Sequence, residues 1–348
     1  MAWVACPPSR GTGGTLAAMR SRLAAALAVA LVCLALPASA QEVEGAEVAL
    51  RLEDPRIYES SGLALSRRHQ AVVWTHNDSG DEARLFAVGP EGRTLATLTL
   101  AGVEARDWEA LAAGRDDRGR PALFVGDIGD NQGVWPDVSV YRVAEPAQLR
   151  DATVAAVRYR LRYADGSHNA EALLVDPRSN RLYVATKEES GGGLYRAPFP
   201  LRTDQVNILH RVASVPPVIT DGAFAPNGRL FVLRDYQGAH VYQAPGRRIG
   251  SFELPLQFQG ESITVTADGR AVLAGSEGPD SEVWRVPLPD SALARVTPTT
   301  RPLPAASAPA TPEARDRGAT PFLVAAVALI VVIGVAAVAV VTLRRRSS

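Results

Sequence analysis

Residues 220–253 read TDGAFAPNGRLFVLRDYQGAHVYQAPGRRIGSFE, and their punctuation decides the fold. Thr220 to Ala225 is a short run with a carboxylate, Asp221, at its head. Pro226-Asn227-Gly228-Arg229 follows, and Asn-Gly suits the positive φ angles of a tight hairpin. Leu230 to Leu233 is apolar on both faces, which marks a central strand. Asp235-Tyr-Gln-Gly238 turns the chain again, His240 to Gln243 makes a third strand and Arg248 to Glu253 a fourth. Four short strands separated by turn residues make one antiparallel sheet.

The same block recurs on both sides of this stretch. Its opening strands are Ser61-Gly-Leu-Ala-Leu, Glu109-Ala-Leu-Ala-Ala, Glu171-Ala-Leu-Leu-Val, Asp221-Gly-Ala-Phe-Ala and Glu261-Ser-Ile-Thr-Val. Each third strand carries an aromatic residue (Phe86, Tyr141, Tyr195, Tyr242, Trp284) shortly before a proline. Self-similarity at roughly 40–60 residues, built only from strands, predicts an all-β fold: a single β-propeller. Five blades are expected, with a sixth, irregular blade from the leftover ends as the alternative. The fifth repeat is weak after Pro287. Val48 to Leu52 could supply its last strand and close the ring, which would remove an exposed edge; Ala292 to Val296 is the competing candidate.

A hairpin returns the chain, so the head of strand one and the tail of strand two share one end of the propeller. The heads are Ser61, Glu109, Glu171, Asp221 and Glu261, and the tails are Asn77, Asp127, Lys187, Asp235 and Ser276, followed by Asp78, Glu188 and Glu277. These residues are expected to ring one mouth of the central channel. His76 and His168 stand beside the ring, either as participants or as hydrogen-bonded bystanders. Converging carboxylates repel one another unless they share protons, pair with Lys187 and Arg234, or bind a cation. Glu109, Glu171, Asp221 and Glu261 are the candidate metal ligands, and oxygen donors without cysteine suit Ca2+ before Mg2+. The alternative is that these acids accept hydrogen bonds from amides of the neighbouring blade and lock the ring. Asn77, Asp78, Asp127, Lys187, Glu188, Arg234, Asp235 and Glu277 are the candidate ligand-binding residues, and His168 and Lys187 the candidate catalytic ones. The Asp107-Trp108-Glu109 step offers a further pair of carboxylates, or a Trp buried under a blade.

The two ends speak of location. Arg20 and Arg22, the apolar run Leu23 to Leu36 and Pro37-Ala38-Ser39-Ala40 form a secretory signal over residues 1–40, read best from Met19. Residues 41–296 are the propeller domain and 297–320 a Pro/Ala/Thr-rich stalk. Residues 321–343 are uncharged, and their run of about 22 residues is long enough for a transmembrane helix. Arg344, Arg345 and Arg346 place the C-terminus in the cytoplasm and the propeller outside. A sortase substrate would end similarly, but no sorting pentapeptide precedes Pro321.

The 348 residues carry 37 basic and 37 acidic side chains. No basic patch interleaved with aromatics stands out, so nucleic acid is not an expected partner. Both cysteines, Cys6 and Cys33, precede the expected cleavage site, which leaves no disulfide and no thiolate metal site. Lys187 is the single lysine. There is no G-x-S-x-G elbow, P-loop or His-Glu-x-x-His signature.

The strings Glu59-Ser-Ser-Gly-Leu-Ala-Leu, Trp74-Thr-His-Asn-Asp-Ser-Gly, Asp107-Trp-Glu-Ala-Leu-Ala and Asn169-Ala-Glu-Ala-Leu-Leu-Val-Asp resemble secreted bacterial propellers of the SdiA-regulated and phytase-like groups. So do Leu182-Tyr-Val-Ala-Thr-Lys187 and Gly260-Glu-Ser-Ile-Thr264. The likeness covers most of residues 57–287. It implies channel-mouth acids that hold calcium, with Lys187 and Arg234 on phosphate. Only two cations near the mouth depart from that pattern. The chain therefore reads as a surface-anchored module that binds an exported protein or a small ligand, with a Ca2+-dependent phosphoesterase or lactonase as the alternative.

Overall fold

The computed structural model describes residues 43–243 and 246–296. The expected signal peptide (1–40), stalk (297–320), membrane helix (321–343) and basic tail (344–348) lie outside them. Among the described residues no helix is long and apolar enough to cross a membrane.

The described chain forms short strands and one short helix, grouped in quartets. After β1 (Glu47–Arg51), the first quartet is β2 (Ser60–Leu65), β3 (Val73–Asn77), β4 (Arg84–Val88) and β5 (Thr94–Leu100). The second is β6 (Trp108–Arg115), β7 (Pro121–Asp127), β8 (Val138–Ala144) and β10 (Ala156–Tyr163), with β9 (Ala152–Val154) reaching back to pair with β5 in parallel. The third is β11 (Ala170–Val175), β12 (Leu182–Thr186), β13 (Gly193–Arg196) and β14 (Asn207–Ser214). The fourth is β15 (Asp221–Phe224), β16 (Leu230–Arg234), β17 (Gly238–Gln243) and β18 (Arg247–Glu253). The last is β19 (Ile263–Val265), β20 (Ala271–Ala274) and β21 (Glu282–Pro287), followed by α1 (Asp290–Val296). Consecutive strands within a quartet pair antiparallel. A parallel contact of β10 with β14 joins the second and third quartets into one eight-stranded sheet.

The second strands show why the sequence reads apolar on both faces. In β16, Leu230 and Val232 face the last quartet, while Phe231 and Leu233 face the third. In β12, Leu182 and Val184 pack toward the second quartet and Tyr183 and Ala185 toward the fourth. Alternation along a strand thus feeds two apolar layers at once. Each layer lies between two consecutive quartets, and the layer of Leu50, Leu52, Leu273 and Val283 against Leu63, Val73, Phe86 and Val88 joins the last quartet to the first. The first strands β2, β6, β11, β15 and β19 are neighbours in that order, and β19 returns to β2. This is a closed, β-propeller-like ring.

The last quartet completes itself with β1. Val48 pairs with Trp284 and Glu47 with Arg285, so the outer edge of β21 is covered. An added Cβ on Gly45 would lie 3.1 Å from Cγ of Pro287, which shows how near β1 begins to the end of β21. The competing segment, Ala292 to Val296, is helical instead. Ala292 is buried against the last quartet's core, and Asp290 in the first turn complements the helix dipole. The hairpin at Asn227-Gly228 forms with Gly228 at φ 64°, and a side chain there would also collide with Arg178.

Candidate functional site

The loops before and after the first two strands of each quartet gather at one mouth of the ring. Trp108 shows how β6 delivers its acids. Its ring is buried in the apolar layer between the first two quartets and meets the edge of His76 at 5.8 Å. With Trp108 turned inward to that layer, the flanking Asp107 and Glu109 share the opposite side. One oxygen each of Asp107, Glu109 and Asp78, which follows β3, lie within 4.8 Å of one another. Gly129 makes the space: a Cβ there would come within 2.4 Å of Glu109 Oε1 and 2.5 Å of Asp107 Oδ2. Asp127 accepts a 2.9 Å bond from the Asp107 amide and fixes that corner of the cluster.

The acids continue around the mouth. Glu171 Oε2 is 2.6 Å from Lys187 Nζ, which also donates to the Tyr236 hydroxyl at 2.7 Å. Glu261 is buried and receives the Gln259 side-chain amide. Burial pushes Glu109 well above the ordinary carboxylate range, and Glu171, Asp78 and Asp107 push it further. Burial and then Glu261 hold Glu171 at about 8, and burial with Glu261 and Asp78 does the same to Glu277. Asp107 is raised to about 6 by burial and by Asp78 and Asp127. Burial works against the Lys187 ammonium, but Glu171 and Glu261 outweigh it and hold its proton firmly. The outcome is a wall of carboxylates with one ammonium, the arrangement that attracts a cation.

Several expected members sit elsewhere. Asp221, a predicted metal ligand, is wholly buried; it accepts the Gly222 amide and, across the quartet boundary, the Ile263 amide, each at 2.7 Å. Through the Ile263 amide it ties the fourth quartet to the last. Arg234, expected on phosphate, is also wholly buried and donates to the carbonyls of Ser262 and Gly275 and to Gln257 Oε1. Burial lowers it to about 10, against the pull of Glu261 and Asp221. Asp235 caps the turn between β16 and β17 by accepting the amides of Gln237 and Gly238 and the His240 ring. Asn77 ties down the loop before β2 through the amides of Tyr58 and Glu59.

His168 and Glu188 are paired with each other. Glu188 Oε1 lies 3.0 Å from His168 Nδ1, and Nε2 faces Asp165 and the Tyr195 hydroxyl. His76 is buried, hydrogen-bonded to the Asn77 carbonyl, and lowered to about 4 by burial. It is a core histidine. Asp107, Tyr236, Gly129 and Gln257 complete the site although the repeat did not single them out. The two-residue spacing of Asp107 and Glu109 around a buried Trp was the readable signal for the first; the others sit in turns that differ between repeats.

No family model matches the chain, and no curated protein matches it. Among solved structures, a gluconolactonase from Xanthomonas campestris is similar at 18% identity and a TM-score of 0.40, over 73% of this chain and 93% of that one. The nidogen/laminin complex is similar at 16% identity and a TM-score of 0.40, over 63% and 73%. The propeller assignment rests on the strand pairing above, and the likeness to SdiA-regulated and phytase-like proteins extends no finer than that architecture.

Proposed function

We propose that each quartet is one blade of a five-bladed propeller, displayed outside the cytoplasm on a single C-terminal membrane span, and that its acidic mouth binds a divalent cation and an exported partner. The observation that carries this reading is the trio Asp78, Asp107 and Glu109, converging on space that only a glycine at 129 leaves open. Hard oxygen donors fit Ca2+. Asp78, Asp107 and Glu109 would hold the ion, and its charge would offset their mutual repulsion. Two neighbouring side chains support a macromolecular partner. Gln257, bonded to Arg234 and to the Glu282 carbonyl, fixes the loop that leads into Glu261, and the flanking Leu256 and Phe258 are 80% and 98% exposed. Apolar side chains held out on a fixed loop are the anchors of protein interfaces.

Thermal unfolding with CaCl2 and with chelator tests the cation site. A rise of several degrees at millimolar Ca2+, absent in Glu109→Gln and Asp107→Asn, is expected. Equal midpoints with and without the ion would reject it. A second reading is a metal-dependent hydrolase of phosphoesters or lactones, favoured by the Lys187 ammonium on the carboxylate wall. It requires Ca2+-dependent turnover that falls in Lys187→Met.

A further inference from the structure

The channel has a second mouth, formed by the hairpins that join strands one and two. There a cavity of about 250 Å³ is lined by Leu63, Leu111, Leu173, Val175, Phe224 and Val265, from all five first strands, with Arg67 and Arg115 also on its wall. It shares no residue with the carboxylate wall. Between the two mouths, hydrogen bonds cross from one first strand to the next, as from Ser61 Oγ to the Glu109 carbonyl and from the Ile263 amide to Asp221.

The charge here is opposite to that of the acidic mouth. Every hairpin carries an arginine: Arg67, Arg118, Arg178, Arg229 and Arg270. The nearby acids are engaged, Asp116 by Arg120 and Asp117 by Arg142. Glu145, the carboxylate closest in function to Arg67, is taken by Ser66, Trp74 and the Arg67 backbone amide. Among the described residues the Arg67 guanidinium has no hydrogen bond or ion pair. Burial and the like charge of Arg115 disfavour its charged form and outweigh the opposing pull of Glu145. Two neighbouring guanidinium groups at an apolar cavity, one of them with no hydrogen-bonded counter-ion among the described residues, are complementary to an anion with a hydrocarbon tail.

We propose that this second mouth binds a single-chain amphiphilic anion, its acyl chain in the apolar throat and its carboxylate on Arg67 and Arg115. Each methylene buried in the throat would tighten binding about fourfold. One narrow throat takes one chain, which selects a free acyl anion over a two-chain lipid. Neither guanidinium is in the protein core, so their replacement leaves the ring intact.

The test is photolabelling of the full chain in phosphatidylcholine nanodiscs with a diazirine-bearing decanoate, followed by peptide mapping. The expected label falls on the ends of β2, β6 and β11, is displaced by decanoate and not by decanol, and drops roughly tenfold or more in Arg67→Gln/Arg115→Gln. Ala113→Phe, which narrows the throat, should lower it as well. Label that falls elsewhere, that decanol displaces as well as decanoate does, or that survives the double arginine substitution would overturn the proposal. Circular dichroism of each variant confirms that a lost label is not a lost fold.

Discussion

A single methylene separates the two kinds of acid at the strand heads. Glu109, Glu171 and Glu261 reach the mouth; Asp221, at the equivalent position, reaches only backbone amides. Asp221→Ala leaves two buried N–H donors without an acceptor and is expected to cost about 2–4 kcal/mol in urea unfolding. Glu109→Gln removes a charge that burial and its neighbours already disfavour, so it should leave stability in chelator unchanged or higher. The raised carboxyls also fix a pH dependence. Glu171 and Glu277 keep protons near neutrality in the folded state, at about 8, and lose them near 4.5 in the unfolded chain. The native state then binds more protons than the unfolded one between pH 6.5 and 8, so stability in chelator falls as pH rises across that window, by on the order of 1 kcal/mol per pH unit. His76, lowered to about 4, is neutral in the folded state there and does not mask the slope. Unfolding midpoints that rise with pH would contradict this. The repeat made all four acids legible as a set. Their division by reach was written in Asp against Glu, but only the distance to the next quartet's amides shows that the shorter side chain finds its partners there.

At the level of elements, ring closure hangs on β1. Leu50 and Leu52 are buried in the layer between the last quartet and the first, and the β1 backbone covers the β21 edge. Removing residues 43–52 should cost about 3–6 kcal/mol from the two leucines alone. The exposed β21 edge would also promote association, so lower thermal midpoints and concentration-dependent light scattering are the expected readouts. That a strand near residue 48 would close the ring could be read from an apolar alternation with no partner of its own. The helix over Asp290–Val296 could not, because a short Ala- and Leu-containing segment suits helix or strand until its neighbours are known. Here β21 is already covered, and Ala292 and Leu293 are left to pack as a helix turn against the last quartet's core.

For the whole molecule, the repeat made the ring readable, whereas net charge concealed its polarity. The balanced 37 and 37 charges of the chain hide a carboxylate wall at one mouth and arginine-bearing hairpins at the other. All five first strands run the same way, so the strand heads, with Glu109, Glu171 and Glu261 among them, fall at one end and the hairpin arginines at the other. The seam between β1 and β21 has a different consequence. Because β1 starts beside the end of β21, the order of the quartets along the polypeptide is a matter of where the thread is cut. A circular permutant that links Pro287 to Gly45 by a short turn and opens at the exposed Gly102 would make every quartet continuous in sequence. It should reach the same ring and refold faster, since a pairing between distant segments becomes a local hairpin.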